Sequence, residues 1–193
     1  MRAGQERSGF PWLTIRDHAA LARYQPRLVE PARPEATAVR VRTPAGAELD
    51  VLDPVLAEEL GPGVRAMKLD RGAFDTLPLA LISSQTLAGL SDLVGRALAA
   101  ERFRPNILID GVEGAAYVED RWVGATLRVG AVRMRVDKRD QRCVMVNVDP
   151  STGTRDPAVL RTISHERQSC LGVYGSIATP GTIAVGDPVV LDA

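Results

Sequence analysis

Cys143 stands in the run DKRDQRCVMVNVDPSTG (137–153), directly after Arg142 and shortly after Arg133, Arg135 and Arg139. A cysteine in such a place can be a small apolar residue that fills a core position. It can also be a thiolate, favoured by the guanidinium groups around it. Read as a strand, RCVMVNV puts Cys143 on the face of Met145 and Asn147, opposite Arg142, Val144 and Val146, so the thiol need not point into a core. A thiolate is a soft ligand, suited to soft or high-valent transition metals rather than to magnesium or calcium. One cysteine cannot build a metal cage by itself. A metal at Cys143 would therefore need a cofactor that brings the other ligands.

Other reactive constellations are missing from the sequence. It contains no GxGxxG, P-loop, HExxH or GxSxG pattern, which leaves nucleotide-fold and hydrolase readings without support. His18 and His165 fall in polar, helix-like segments with no nucleophile paired to them, and read as surface residues. The second cysteine, Cys170, forms neither a CxxC nor a zinc pattern with Cys143 and reads as packing. Two cysteines in 193 residues fit a reducing compartment better than a disulfide scaffold. Of 24 basic residues only Lys68 and Lys138 are lysines. Arginine forks can bind phosphate or carboxylate bidentately, although codon bias alone would also explain the excess. The net charge of zero speaks against a nucleic-acid partner, which calls for a basic excess. Neither a signal-peptide core nor a membrane-length apolar run is visible, so the expected location is the cytoplasm.

The elements that must position these residues are short. TIRDHAALAR (14–23) reads as a helix with Thr14 as N-cap, followed by a connector with Pro26, Pro31 and Pro34. TAVRVRT (37–43) and AELDVL (from 47) read as a hairpin. DPVLAEELGPG starts a helix at Asp53-Pro54 and ends at Gly61-Pro62-Gly63, the best internal boundary. LPLALIS (77–83) is a buried strand, and SQTLAGLSDLVGRALAA (84–100) is a helix with Leu87, Leu90, Val94 and Leu98 toward the core. Strands are predicted at NILIDG, 126–130, 131–136, 142–148, 182–185 and 188–191. The fold expected is mainly β with a few helices (α+β), a barrel or sandwich rather than alternating βαβ units.

Five of these stretches resemble, in order, the motif series of the MOSC domain family: RFRPNILIDG, AAYVEDRWVGATLRVG, RCVMVNVDPSTG, LGVYG and PGTIAVGDPVVL. The family takes its name from the C-terminal domain of molybdenum cofactor sulfurases and includes amidoxime-reducing enzymes. The resemblance covers roughly residues 66 to 193. LTIRDHAALARYQPRL is similar, more weakly, to the end of the β-barrel module that precedes the domain in that subgroup. The implied division is residues 1–62 as a partial N-terminal β-barrel-like module and 63–193 as the MOSC domain.

The resemblance implies a MOSC-type β-barrel fold and a pyranopterin molybdenum cofactor. It assigns Cys143 as the protein ligand of molybdenum and as the catalytic residue. It places Arg104 and Asn106 of RFRPN beside cofactor and substrate, Asp75 and Thr76 at the pterin, and Arg142 among the cofactor-binding residues. Tyr117, Trp122 and Tyr174 match as packing residues. The activity implied is reduction of N-hydroxylated or similar small substrates, with electrons from a separate redox protein. The alternative is a cofactor or sulfur carrier without turnover. In the sulfurases the domain accompanies a pyridoxal-phosphate-dependent desulfurase, whose catalytic domain has no counterpart in this sequence. The amidoxime-reducing subgroup also carries an upstream YPVKS-type segment and an Asp-Arg motif that grip the cofactor's phosphate. This sequence has no Lys-Ser pair, and the expectation is that it starts beyond that place.

Overall fold

The structure is a computed structural model and describes residues 12–66, 76–111 and 114–192. The chain divides into two compact units, Met1–Ala73 with Val148–Arg155, and Phe74–Asn147 with Asp156–Ala193.

The first unit holds a three-stranded antiparallel sheet in the order β1 (Gln25–Leu28), β2 (Val39–Arg42), β3 (Glu48–Asp50). The hairpin read from the sequence is β2–β3, with Arg40 opposite Asp50 and Arg42 opposite Glu48. The proline-rich connector is in part a strand: Pro26 lies in β1, opposite Val41. An edge strand has an outer side free of ladder bonds, so a residue without an N–H is tolerated there. The helix predicted over 14–23 shrinks to a turn at Thr14 and a 3-10 helix at Ala19–Arg23. The helix α1 (Pro54–Leu60) starts as predicted, with Asp53 accepting from the amide of Val55 and Pro54 in the first turn.

The second unit is a six-stranded mixed sheet curled into a half-barrel. Its order is β5 (Ile107–Ile109), β4 (Leu79–Ser83), β8 (Cys170–Thr179), β7 (Val132–Gln141), β6 (Thr126–Val129), β9 (Val189–Asp192). All pairs are antiparallel except β4–β5. That parallel pair is joined across the helix α2 (Ser84–Val94), so one βαβ crossover exists where none was expected. Register shifts between Arg133 and Met134, Val136 and Lys138, and Arg139 and Gln141 interrupt the β7–β8 ladder. Such bulges bend a strand and raise its twist, which curls the sheet.

α2 ends at Val94 rather than near residue 100, because Gly95 takes the left-handed conformation (φ 80°) that closes a helix. Leu87 and Leu90 are buried on its inner face, with Leu98 just beyond the cap. They pack with Phe103, Val146, Leu171 and the helix α3 (Pro157–Arg167) through Val159 and Ile163. Each such side chain contributes about 2 kcal/mol by leaving water. Leu81, Ile109, Leu127, Met134, Val136 and Val173 fill the inside of the sheet. The segment TIAV (182–185) forms no strand and runs into a turn closed by the Asp187 amide on the Ala184 carbonyl. Among the described residues no helix is long and apolar enough to cross a membrane.

Candidate functional site

β7 runs as far as Gln141, which pairs with Cys170. The amide of Arg142 adds one more bond to the carbonyl of Ser169 at 2.7 Å. The chain then leaves the sheet. Val144–Asn147 is a 3-10 helix, opened by the bond from the Val146 amide to the carbonyl of Cys143. RCVMVNV is therefore not a strand, and the alternation expected for it fails: Val146 and Asn147 are both buried while Val144 is exposed. The cause lies in Asn147. Its Oδ1 accepts from the amide of Leu160 in the first turn of α3, and its carbonyl accepts from Asp156. A helix start leaves such amides without partners inside the helix, and Asn147 supplies one. Cys143 ends up half-buried at the turn between β7 and this short helix, reached by the chain's geometry rather than by strand alternation.

Arg142 is turned inward, with its side chain only 7% exposed. Its Nε donates to the carbonyl of Leu171 and its Nη1 to the carbonyl of Phe103, both at 2.8 Å. Nη2 lies 2.8 Å from Oδ2 of Asp140, and the guanidinium carbon sits 5.8 Å from the centre of the Phe103 ring. Burial lowers the Arg142 pKa, with Asp140 opposing. Burial also raises the Asp140 carboxyl to about 6, against the pull of Arg142. Arg102, likewise buried, donates from Nη1 to the carbonyl of Val146 at 3.2 Å. The turn that carries Cys143 and the 3-10 helix Ala100–Phe103 are thus bound to each other twice, each by an arginine of the other.

Gly172 makes room for this packing. At φ 73° a Cβ would lie 2.6 Å from the carbonyl oxygen of Leu81 and 3.4 Å from Nη2 of Arg142.

Arg104 follows Phe103 directly and is exposed. Its backbone is left-handed (φ 53°, ψ 46°), a conformation unusual for a residue with a Cβ and more so ahead of a proline. Asn106 extends the β4–β5 pairing: its amide donates to the Ala80 carbonyl and its Oδ1 accepts from the Ala80 amide, both at 2.8 Å. Its NH2 group is the part left for a ligand. Thr76 lies exposed just ahead of β4, and Asp75 lies outside the described residues. The structure thus ties Arg142, the residue before Cys143, to the carbonyl of Phe103, the residue before Arg104, and fixes Asn106 at the edge strand of the sheet. Asp140 and Gly172 were missed by the sequence reading. Asp140 and Arg142 are two residues apart, which places both on one face of an extended chain and is the signal that could have found them.

Among the described residues no group of three or more His, Cys, Asp or Glu side chains could hold a metal ion. A half-buried thiol outside any such group fits a metal that arrives with ligands of its own.

The family model of the MOSC domain matches residues 69–190. Mitochondrial amidoxime-reducing component 1 of Homo sapiens is 35% identical over 132 residues, which is 61% of this chain and 37% of that protein. Mitochondrial amidoxime reducing component 2 of Rattus norvegicus is 34% identical over 128 residues, 60% of this chain and 37% of that protein. The matched stretch spans little more than a third of these relatives' length. Among solved structures, the YUAD protein from Bacillus subtilis resembles the chain with a TM-score of 0.50 at 14% identity, over 63% of this chain and 68% of that one. That likeness is one of fold, and it agrees with the mainly β, half-barrel architecture. By motif order, fold and family model together, the chain belongs to the MOSC domain family.

Proposed function

We propose that the chain binds a pyranopterin molybdenum cofactor, with Cys143 as the protein ligand of the metal, and reduces N-hydroxylated or similar small molecules. The observation that carries this reading is the half-buried Cys143 thiol at the turn after β7, in a chain whose relatives are named as amidoxime-reducing components and among whose described residues no group of three or more His, Cys, Asp or Glu makes a metal cage. When bound, the cofactor would supply a metal centre that exchanges electron pairs and accepts an oxygen atom. The overall change is two electrons and two protons in, the N–O bond broken, and water out.

The chain's own residues do the rest. The thiolate of Cys143 is the soft donor, held in place by the turn after β7. Arg104, exposed and next in the chain to Phe103, supplies bidentate donors to phosphate or to a developing oxyanion. Asn106 offers its NH2 group from a position fixed by two bonds to Ala80. Thr76, and by the family resemblance Asp75, complete the pterin side. Electrons come from a separate redox protein. The alternative reading, a carrier that holds the cofactor without turnover, uses the same Cys143 ligand and differs only in product formation.

Incubation of molybdenum-loaded protein with benzamidoxime and reduced methyl viologen tests the proposal. Formation of benzamidine by the wild type but not by Cys143→Ser supports a reductase. Bound metal without product supports the carrier.

A further inference from the structure

We propose that Arg142 is a positioning residue, which fixes the sulfur of Cys143 relative to Arg104 and does not itself touch the cofactor; this deepens the molybdenum reading above and rests on it.

The geometry leaves the guanidinium no open side. Nε and Nη1 are bound to the carbonyls of Leu171 and Phe103, and Nη2 faces Asp140. The Phe103 ring covers one side, and the side chain is 7% exposed. An arginine that bound an anionic cofactor would need at least one edge of its fork toward solvent. The two carbonyls it holds instead belong to the residue before Arg104 and to a residue of β8, the strand that pairs with β7 up to Gln141. Arg142 is therefore a strut between three chain segments, and Cys143 is the next residue along.

Two left-handed residues stand at the ends of that strut. Arg104 (φ 53°) follows Phe103, and Ser169 (φ 63°) carries the carbonyl that accepts from the Arg142 amide. Conformations of this kind persist only where the surroundings over-determine them. The bonds from Arg142 are such surroundings, so the strut also holds the backbone from which Arg104 projects. Lysine at 142 would keep the charge but could not bridge two carbonyls and a carboxylate at once, because it offers one point of donation rather than a planar fork.

The test measures the thiol in metal-free protein, so that its outcome does not depend on molybdenum. In a Cys170→Ala background Cys143 is the remaining thiol. The limiting rate of its alkylation by iodoacetamide, taken at pH values where it is fully ionised, reports access and order rather than acidity. Arg142→Lys and Arg142→Met are compared with Leu127→Ala, a truncation on β6 in the other core cluster, which lowers stability away from the turn. The inference predicts a limiting rate about tenfold higher in both Arg142 variants and little changed in Leu127→Ala. Rates within twofold of the parent in either Arg142 variant, or an equal rise in Leu127→Ala, overturn it. In loaded protein, Arg142→Lys should retain molybdenum but show an altered or split Mo(V) resonance. A resonance identical to wild type would count against positioning. Wild-type protein that takes up no molybdenum would end the cofactor reading and leave the alkylation result to judge the strut alone.

Discussion

The Nη1 atom of Arg142 donates a 2.8 Å hydrogen bond to the carbonyl oxygen of Phe103, across 39 residues of chain. It joins the residue before Cys143 to the residue before Arg104. Removing the donor leaves the buried carbonyls of Phe103 and Leu171 without their donor, and leaves Asp140 with Tyr174 as its hydrogen-bond partner but no guanidinium.

Breaking a buried pair in this way costs about 3–5 kcal/mol, because the groups left behind stay out of water. Arg142→Ala should therefore lower Tm by roughly 10 °C for a chain of this size. The loss should be larger at pH 8 than at pH 5, since Asp140, at about 6, is neutral at the lower pH and loses less with its partner. Calorimetry at both pH values checks this, and equal losses would separate Asp140 from Arg142.

Asp140 gives a pH signature of its own. Its folded pKa of about 6 lies above the value near 4 of an unfolded aspartate. The folded state thus holds the proton more tightly, and this contribution is fully present below pH 4 and lost as pH rises through 6. Across that window the stability of wild type relative to Asp140→Asn should fall by about 3 kcal/mol. Urea unfolding of both proteins between pH 4 and 7 measures the difference. A difference that grows with pH would contradict the burial argument.

Gly172→Ala should be strongly destabilising, by more than about 2 kcal/mol. The added Cβ meets the Leu81 carbonyl oxygen at 2.6 Å and the backbone is left-handed there, so two of the named causes of large effects coincide. Gly46, also at positive φ but with open space around it, should tolerate alanine at about 1 kcal/mol or less. Denaturant midpoints of the two variants give the comparison.

How far the sequence revealed all this depends on the kind of signal. The inner faces of β4 and α2, the cap at Asp53 and the β2–β3 hairpin follow from periodicity and turn residues, and the structure has them. The MOSC fold itself was legible only through five ordered motifs, because most strands have three to five residues and the alternation of the two long ones, β7 and β8, is interrupted by bulges. The turn at Cys143 was misread as a strand. RCVMVNV has a β-rich composition, and nothing local announces that Asn147 will be drawn to the start of α3. The strand β8 was passed over for a related reason, since LGVYG carries a glycine at positive φ that breaks the pattern. The partners of Arg142 lie 29 and 39 residues away and are main-chain oxygens, which a sequence does not display.

Arg104 should show stability and function opposed. Its left-handed backbone costs about 1 kcal/mol for a residue with a Cβ. Arg104→Gly should therefore raise Tm slightly while it lowers cofactor retention or substrate reduction, as read by thermal unfolding and metal analysis on the same samples. A drop in Tm would mean that the exposed side chain stabilises the fold itself.

The central claim is that Cys143 is the protein ligand of a molybdenum held mainly by its pterin. Elemental analysis for molybdenum, with pterin fluorescence after oxidation, on protein produced in a cofactor-competent host tests it most directly. The account predicts about one molybdenum per chain in the wild type and in Cys170→Ala, and loss of the metal in folded Cys143→Ser. Well-folded wild type without molybdenum, or full retention in Cys143→Ser, would contradict it.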